Sequence, residues 1–217
     1  SVLDRYTAVL RAKARRATPK GLGRIPPLNS SLFPYQSDCL DFALRIGSGA
    51  QFLDTGLGKS IIELDWGRVI AETNNKPVLM LAPLAVGPQH QREAAKFGIE
   101  AHYIRDPDHI RPGVNICNYE RLHMFRPNQF SGIVLDESSI VKSYGGKTSL
   151  ALMEFAEAVP YRLAATATPA PNDHMELGQH SQFLQVMPSN EMLMRWFVAD
   201  QSDMGRYRLK RHGVEDF

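Results

Sequence analysis

Five short apolar runs punctuate the chain: GAQFLDT (49–55), PVLMLAPL (77–84), VNICNYE (114–120), GIVLDES (132–138) and YRLAATATP (161–169). Each has the length of a strand. Between them lie stretches with helical spacing, marked by Ile61, Ile62, Leu64, Val69 and Ile70, then by PQHQREAAKFG ending at Gly98, and by TSLALMEFAEAV before Pro160. Strand followed by helix, repeated, predicts an α/β domain whose mainly parallel sheet is covered on both faces. Such sheets bind ligands beyond the carboxyl ends of their strands. Polar residues that follow directly on each apolar run are therefore the candidates for function. The segment GLGRIPPLNSSLFP (21–34) reads as an irregular lead-in.

Composition narrows the class. With 217 residues the chain can bury a sizeable core, and 43% hydrophobic with 22% charged residues is ordinary for a globular protein. No apolar run is long enough for a membrane span or a secretory signal, so a soluble, cytoplasmic protein without a membrane partner is expected. Cys39 and Cys117 have no metal-binding spacing and are read as free, buried thiols. The net charge of +2 hides an asymmetry, because residues 1–30 carry seven basic side chains and one acidic, against 18 and 22 in the remainder. The cluster RAKARR (11–16) suits either a phosphate backbone or a solvated helix face.

Two polar stretches stand at strand ends. QFLDTGLGKSIIEL (51–64) runs from a strand through Gly56 and Gly58 into a helix that begins near Lys59. A glycine turn at a helix N-terminus exposes backbone N–H groups around one concavity, where the helix dipole favours negative charge. Lys59 would place a cation on the terminal phosphates of a nucleotide, and the Ser60 hydroxyl is suited to magnesium. Leu53 stands where the usual phosphate loop opens with glycine. The alternative is a glycine-rich turn around a solvated lysine. Beyond GIVL come Asp136 and Glu137, of which the first can hold hydrated magnesium and the second can orient and deprotonate water. Taken alone, that pair is also consistent with a polar turn.

In this order, DTGLGKS (54–60), LDESS (135–139) and ATATP (165–169) resemble motifs I, II and III of superfamily 2 helicases and translocases, in the Swi/Snf-like branch and its compact phage-encoded members. FPYQ (33–36) resembles the upstream glutamine motif, LAPLAVGPQHQREAAKFG (81–98) motif Ia and its helix, NYERL (118–122) the tyrosine-containing segment before motif II, and TPAPNDHMELGQHSQFL (168–184) the stretch after motif III. The resemblance implies a three-layer RecA-like P-loop NTPase fold, ATP and Mg²⁺ as cofactors, and nucleotide contacts from Gln36, Asp54, Thr55, Gly56, Leu57, Gly58, Lys59 and Ser60. Gln36 would read the adenine edge. Ser60 and Asp136 would hold the metal, Lys59, Asp136 and Glu137 would carry the chemistry, and Thr166 and Thr168 would relay the nucleotide state. Nucleic acid would be met by Pro83, Leu84, Tyr119, Lys142 and Lys147. Ser138 and Ser139 depart from the commoner alanine and histidine, and Ala167 from the branch's usual glycine.

The implied division is a basic extension over 1–30, a RecA-like lobe over 31–187, and a segment over 188–217 that leads toward a second lobe. Trp196 and Phe197 are candidates for packing against that lobe. Superfamily 2 motors take transition-state arginines from the second lobe, and no motif of that kind follows residue 185. A monomeric piece of a larger motor is expected, acting in the cytoplasm, or the host cytoplasm for a viral protein, with DNA as partner (RNA is also compatible) and weak or undetectable hydrolysis by itself. The competing readings are a nucleotide-gated binding module without catalysis, and a P-loop phosphotransferase, against which the motif order and the lack of an arginine-rich lid speak.

Overall fold

The computed structural model describes residues 19–143, 146–170, 177–199 and 207–210, with backbone alone for 141–143, 146–147, 198–199 and 207–209. Six strands, β1 (Ser48–Phe52), β2 (Val78–Ala82), β3 (Ala101–Tyr103), β4 (Val114–Asn118), β5 (Gly132–Leu135) and β6 (Tyr161–Thr166), form one sheet in the order β1-β6-β5-β2-β4-β3. Every pairing in it is parallel. Five of the strands are the five apolar runs. The sixth, β3, is a three-residue edge strand that pairs with β4.

Every residue of β2, β4 and β5 is buried, which is why their sequences read as apolar runs and not as in-out alternation. Successive side chains serve opposite faces: Val78, Met80 and Ala82 enter one core, Leu79 and Leu81 the other. The helices supply the outer layers. They are α1 (Pro34–Ile46), α2 (Lys59–Asn74), α3 (Gly87–Lys96), α4 (Gly146–Glu157), α5 (Leu177–Phe183) and α6 (Ser189–Trp196). On one face Leu40 and Leu44 of α1 join Ile62, Trp66 and Ile70 of α2, and on the other Leu152 and Phe155 of α4 join Phe130 and Phe183. The result is the three-layer α/β architecture that the sequence pattern implies.

The lead-in is irregular but firmly attached. Backbone N–H groups of Lys20, Gly21 and Leu22 donate to the carbonyls of Ile46, Arg45 and Leu44 at 3.2, 3.1 and 2.9 Å, satisfying carbonyls at the end of α1 that have no helical partner. A Cβ at Gly21 would collide with the Leu44 carbonyl. Further on, Asn29 N donates to Asp65 Oδ2 at 2.8 Å and its side chain to the Phe97 carbonyl at 2.7 Å, so the strap also ties α2 to the end of α3. The RAKARR cluster lies outside the described residues.

Past β6 the chain forms α5, α6 and a short antiparallel pair, β7 (Phe197–Ala199) with β8 (Tyr207–Leu209). Met187, Met192 and Phe197 make a small separate core, with Leu177, Leu193 and Trp196 packed against it. Phe197 and Trp196, expected to await another lobe, thus fill this cluster instead, because the short α5–α6 unit has apolar faces of its own to cover. None of the described helices is long and apolar enough to cross a membrane.

Candidate functional site

The glycine loop leaves β1 at Phe52 and returns as α2 at Lys59. Gly56 and Gly58 adopt φ of 86° and 70°, left-handed values that cost a residue with a side chain about 1–2 kcal/mol, so glycine is what lets the turn form. Gly58 is also the N-cap of α2, and a Cβ there would run into the Gln36 amide. Leu57 N donates to the Asp54 carbonyl at 3.3 Å, and Thr55 N to the Asp54 carboxylate at 2.7 Å. The Leu57 carbonyl accepts from Tyr35 Oη at 2.9 Å and Gln36 Nε2 at 3.1 Å. Gln36 is 3% exposed, and its Oε1 accepts from Phe33 N at 2.9 Å, so the glutamine braces the loop from behind. The Lys59 ammonium donates to the Leu53 and Asp54 carbonyls at 2.9 and 3.2 Å, which keeps it at the mouth of the loop. Asp54, Thr55, Gly56, Leu57 and Gly58 are exposed, and Lys59 and Ser60 half-buried.

Beyond β5 the backbone turns sharply. Glu137 has φ 50°, a left-handed value for a residue with a side chain, and this re-aims its carboxylate. Glu137 Oε1 accepts from Thr166 Oγ1 at 2.7 Å and from Ser139 Oγ at 2.9 Å. Thr166 ends β6, the strand between β1 and β5, and its hydroxyl also accepts from Thr168 N at 3.1 Å. Loop, acidic pair and threonine therefore share the carboxyl edge of three adjacent strands. Ser138, 3% exposed, is hydrogen-bonded to His180 Nε2 at 2.8 Å, linking the turn to α5. Ser139 thus holds the glutamate and Ser138 holds a histidine from farther along the chain, contacts that the sequence did not announce.

Two further residues were missed. Asp136 Oδ2 is hydrogen-bonded to His90 Nε2 at 2.7 Å, and the Asp136 carbonyl accepts from Tyr119 Oη at 2.7 Å. His90 sits on α3 with Gly87 and Ala94 as the buried face, a helical spacing visible in the sequence. Glu63, one turn after Lys59 on α2, is fully buried. Burial, then the negative charge of Asp136, holds its carboxyl well above the usual carboxylate range, with Lys59 opposing and Glu137 and Glu93 adding to the rise. Lys59, Asp136 and Glu137 thus bear on one buried carboxyl group.

Of the residues expected at nucleic acid, Leu84 is 64% exposed and Pro83 half-buried, both just after β2. Tyr119 is 3% exposed and its hydroxyl braces Asp136, so the side chain acts within the protein. The backbones of Lys142 and Lys147 flank the start of α4; their side chains lie outside the described residues. Cys117 is buried and free as expected, while Cys39, also free, is only half-buried.

No family model matches the sequence, and no curated protein matches it. Solved structures do. The SWI2/SNF2 ATPase core of Sulfolobus solfataricus in complex with dsDNA matches with a TM-score of 0.64 at 22% identity, over 80% of this chain and 41% of that one. The Sulfolobus solfataricus SWI2/SNF2 ATPase core domain gives 0.63 at 23% identity, over 82% and 42% of the two chains. The UvsW helicase from bacteriophage T4 gives 0.58 at 14% identity, over 82% and 65%. The chain has the fold of these ATPase cores and spans about two fifths of the archaeal chains and 65% of the phage one.

Proposed function

We propose that the chain is the ATP-binding lobe of a nucleic-acid-dependent ATPase, a helicase or DNA translocase of the superfamily 2, Swi/Snf-like kind. The observation that carries the reading is the pairing at the sheet edge. A left-handed glycine loop delivers Lys59 and the start of α2, and a strained Glu137 is fixed by Thr166 from the strand between them. The fold shared with the SWI2/SNF2 ATPase cores and the UvsW helicase supports it.

In this reading the loop amides and the Lys59 ammonium hold the phosphates of ATP, while the open space beside Gly56 gives the phosphates room. Ser60 and Asp136 hold magnesium, which neutralises phosphate charge when bound. Glu137 accepts the proton of the attacking water, and Thr166 and Ser139 keep its carboxylate from swinging away. Thr168, whose backbone N–H donates to Thr166, carries the state of that carboxylate toward the loop after β6. For Gln36 to read the adenine edge, its buried amide must turn away from the Leu57 carbonyl and Phe33 N that it now bonds. Exposed Leu84 and neighbouring Pro83 meet a nucleic-acid backbone, for which Lys142 and Lys147 would supply charge, read without regard to base because a translocase must accept any sequence. A second RecA-like lobe supplies arginine, which is worth about 10³–10⁵ in rate, so turnover by this chain alone is slow.

The test is phosphate release followed over hours with DNA present. Slow release is expected from the parent chain, and Glu137→Gln should abolish it while ATP still binds. A Glu137→Gln chain that releases phosphate at the parent's rate overturns the assignment.

A further inference from the structure

Glu63 is 0% exposed, and neither of its carboxylate oxygens has a hydrogen-bond partner among the described residues. A buried polar group in that condition is strongly unfavourable, and a charged one more so, unless something compensates it. What lies beside it is a histidine and a carboxylate from two other elements. Glu63 on α2, His90 on α3 and Asp136 after β5 each offer one ligand atom, all within 4.8 Å of one another. His90 Nε2 and Asp136 Oδ2 are 2.7 Å apart, so a cation could take both with a small relaxation of their hydrogen bond. The other ring nitrogen, Nδ1, is buried without a hydrogen bond among the described residues, with Glu93 Oε2 3.8 Å away, near enough to turn toward the imidazole and orient it for a metal.

We propose that Glu63, His90 and Asp136 form a binding site for a first-row transition cation of the Mn²⁺, Co²⁺ or Zn²⁺ type, occupied without nucleotide. The donor set decides the class of ion. One imidazole nitrogen with two carboxylates suits these borderline cations, whereas magnesium prefers oxygen alone and retains its waters. The ion supplies the partner that the Glu63 oxygens lack. It also ties α2, which begins at the glycine loop, to the acid that ends β5. The site shares Asp136 with the magnesium position of the ATP-binding reading, adds Glu63 and His90 to it, and is measured without ATP.

The experiment is a titration of the chelator-treated chain with Co²⁺, in buffer with excess Mg²⁺ and no nucleotide, followed by visible absorption and thermal melting. The expected result is a saturating band at one equivalent and a raised Tm. Glu63→Gln and His90→Gln, on different helices and each checked for folding by circular dichroism, should weaken binding at least about tenfold and lose the Tm rise. Ser60→Ala should leave cobalt binding as in the parent. If Glu63→Gln does not fold, His90→Gln decides the matter. No band and no Tm shift from the parent chain overturns the site, as does equal binding by the folded variants, which would put cobalt on other histidines. A chain that takes Mg-ATP but not cobalt loses this site alone; one that takes cobalt but not ATP loses only the proposed function.

Discussion

At the scale of single residues, the arrangement turns on how Glu137 is held. Its φ of 50° carries strain that nothing in the local sequence offsets, and the hydroxyls of Thr166 and Ser139 fix the carboxylate at the end of that strained turn. Thr166 is 0% exposed, so Thr166→Val preserves shape and removes the hydrogen bond to the Glu137 carboxylate, worth about 1.5–3 kcal/mol, together with the acceptor of Thr168 N. If that bond is made fully in the transition state, turnover falls roughly 10- to 100-fold with ATP affinity nearly unchanged. Phosphate-release kinetics read it, and a variant with parental turnover would show that the hydroxyl does not position the base. At this scale the sequence was readable for residues that follow directly on a strand, such as Asp136, Glu137 and Lys59. It was silent on His90 and Glu63, which reach Asp136 from positions 46 and 73 residues away in the chain. Glu63 did leave one trace, an acid inside the apolar stretch SIIELDWGRVI. That trace alone could not separate it from Asp65, equally buried but satisfied by Asn29 N and Arg68 Nε.

At the scale of elements, the legible parts were those whose burial is two-sided. β2, β4 and β5 are apolar along their whole length because both faces are covered. β3 escaped notice because three residues at a sheet edge carry no pattern. Helix α1 escaped because PYQSDCLDFALRI mixes polar and apolar residues closely, although its buried Gln36, Leu40, Ala43 and Leu44 do follow helical spacing. The buried interior of β4 has a consequence at high pH. Burial pushes the Cys117 thiol up to about 11. Its folded-state value thus lies above the unfolded one, so the stability this thiol contributes is fully present below the ordinary thiol range and lost as pH rises toward about 11. Urea midpoints should therefore fall across that window, and Cys117→Ala should flatten part of the decline; an unchanged pH profile in the variant would place the titrating group elsewhere. Half-buried Cys39 on α1 should accordingly be alkylated before Cys117, as peptide mapping after brief alkylation would read.

At the scale of the whole molecule, six parallel strands set the glycine loop, the acidic pair and the threonine side by side on one sheet edge, and α3 reaches the acidic pair through His90. Fold class was legible from alternation, since strand and helix repeat in a way that leaves few other packings. The attachment of residues 19–30 to α1 and α2 was not, because hydrogen bonds from an irregular segment leave no period in the sequence. The account rests on this edge being a triphosphate site. Titrating Mg-ATP into the chain by calorimetry tests it most directly. One equivalent should bind to the parent, and Lys59→Ala, folded by circular dichroism, should bind at least about tenfold more weakly, the loss expected for a charge-assisted contact of about 1.4 kcal/mol or more. No heat from the parent chain, or equal affinity in Lys59→Ala, would contradict it.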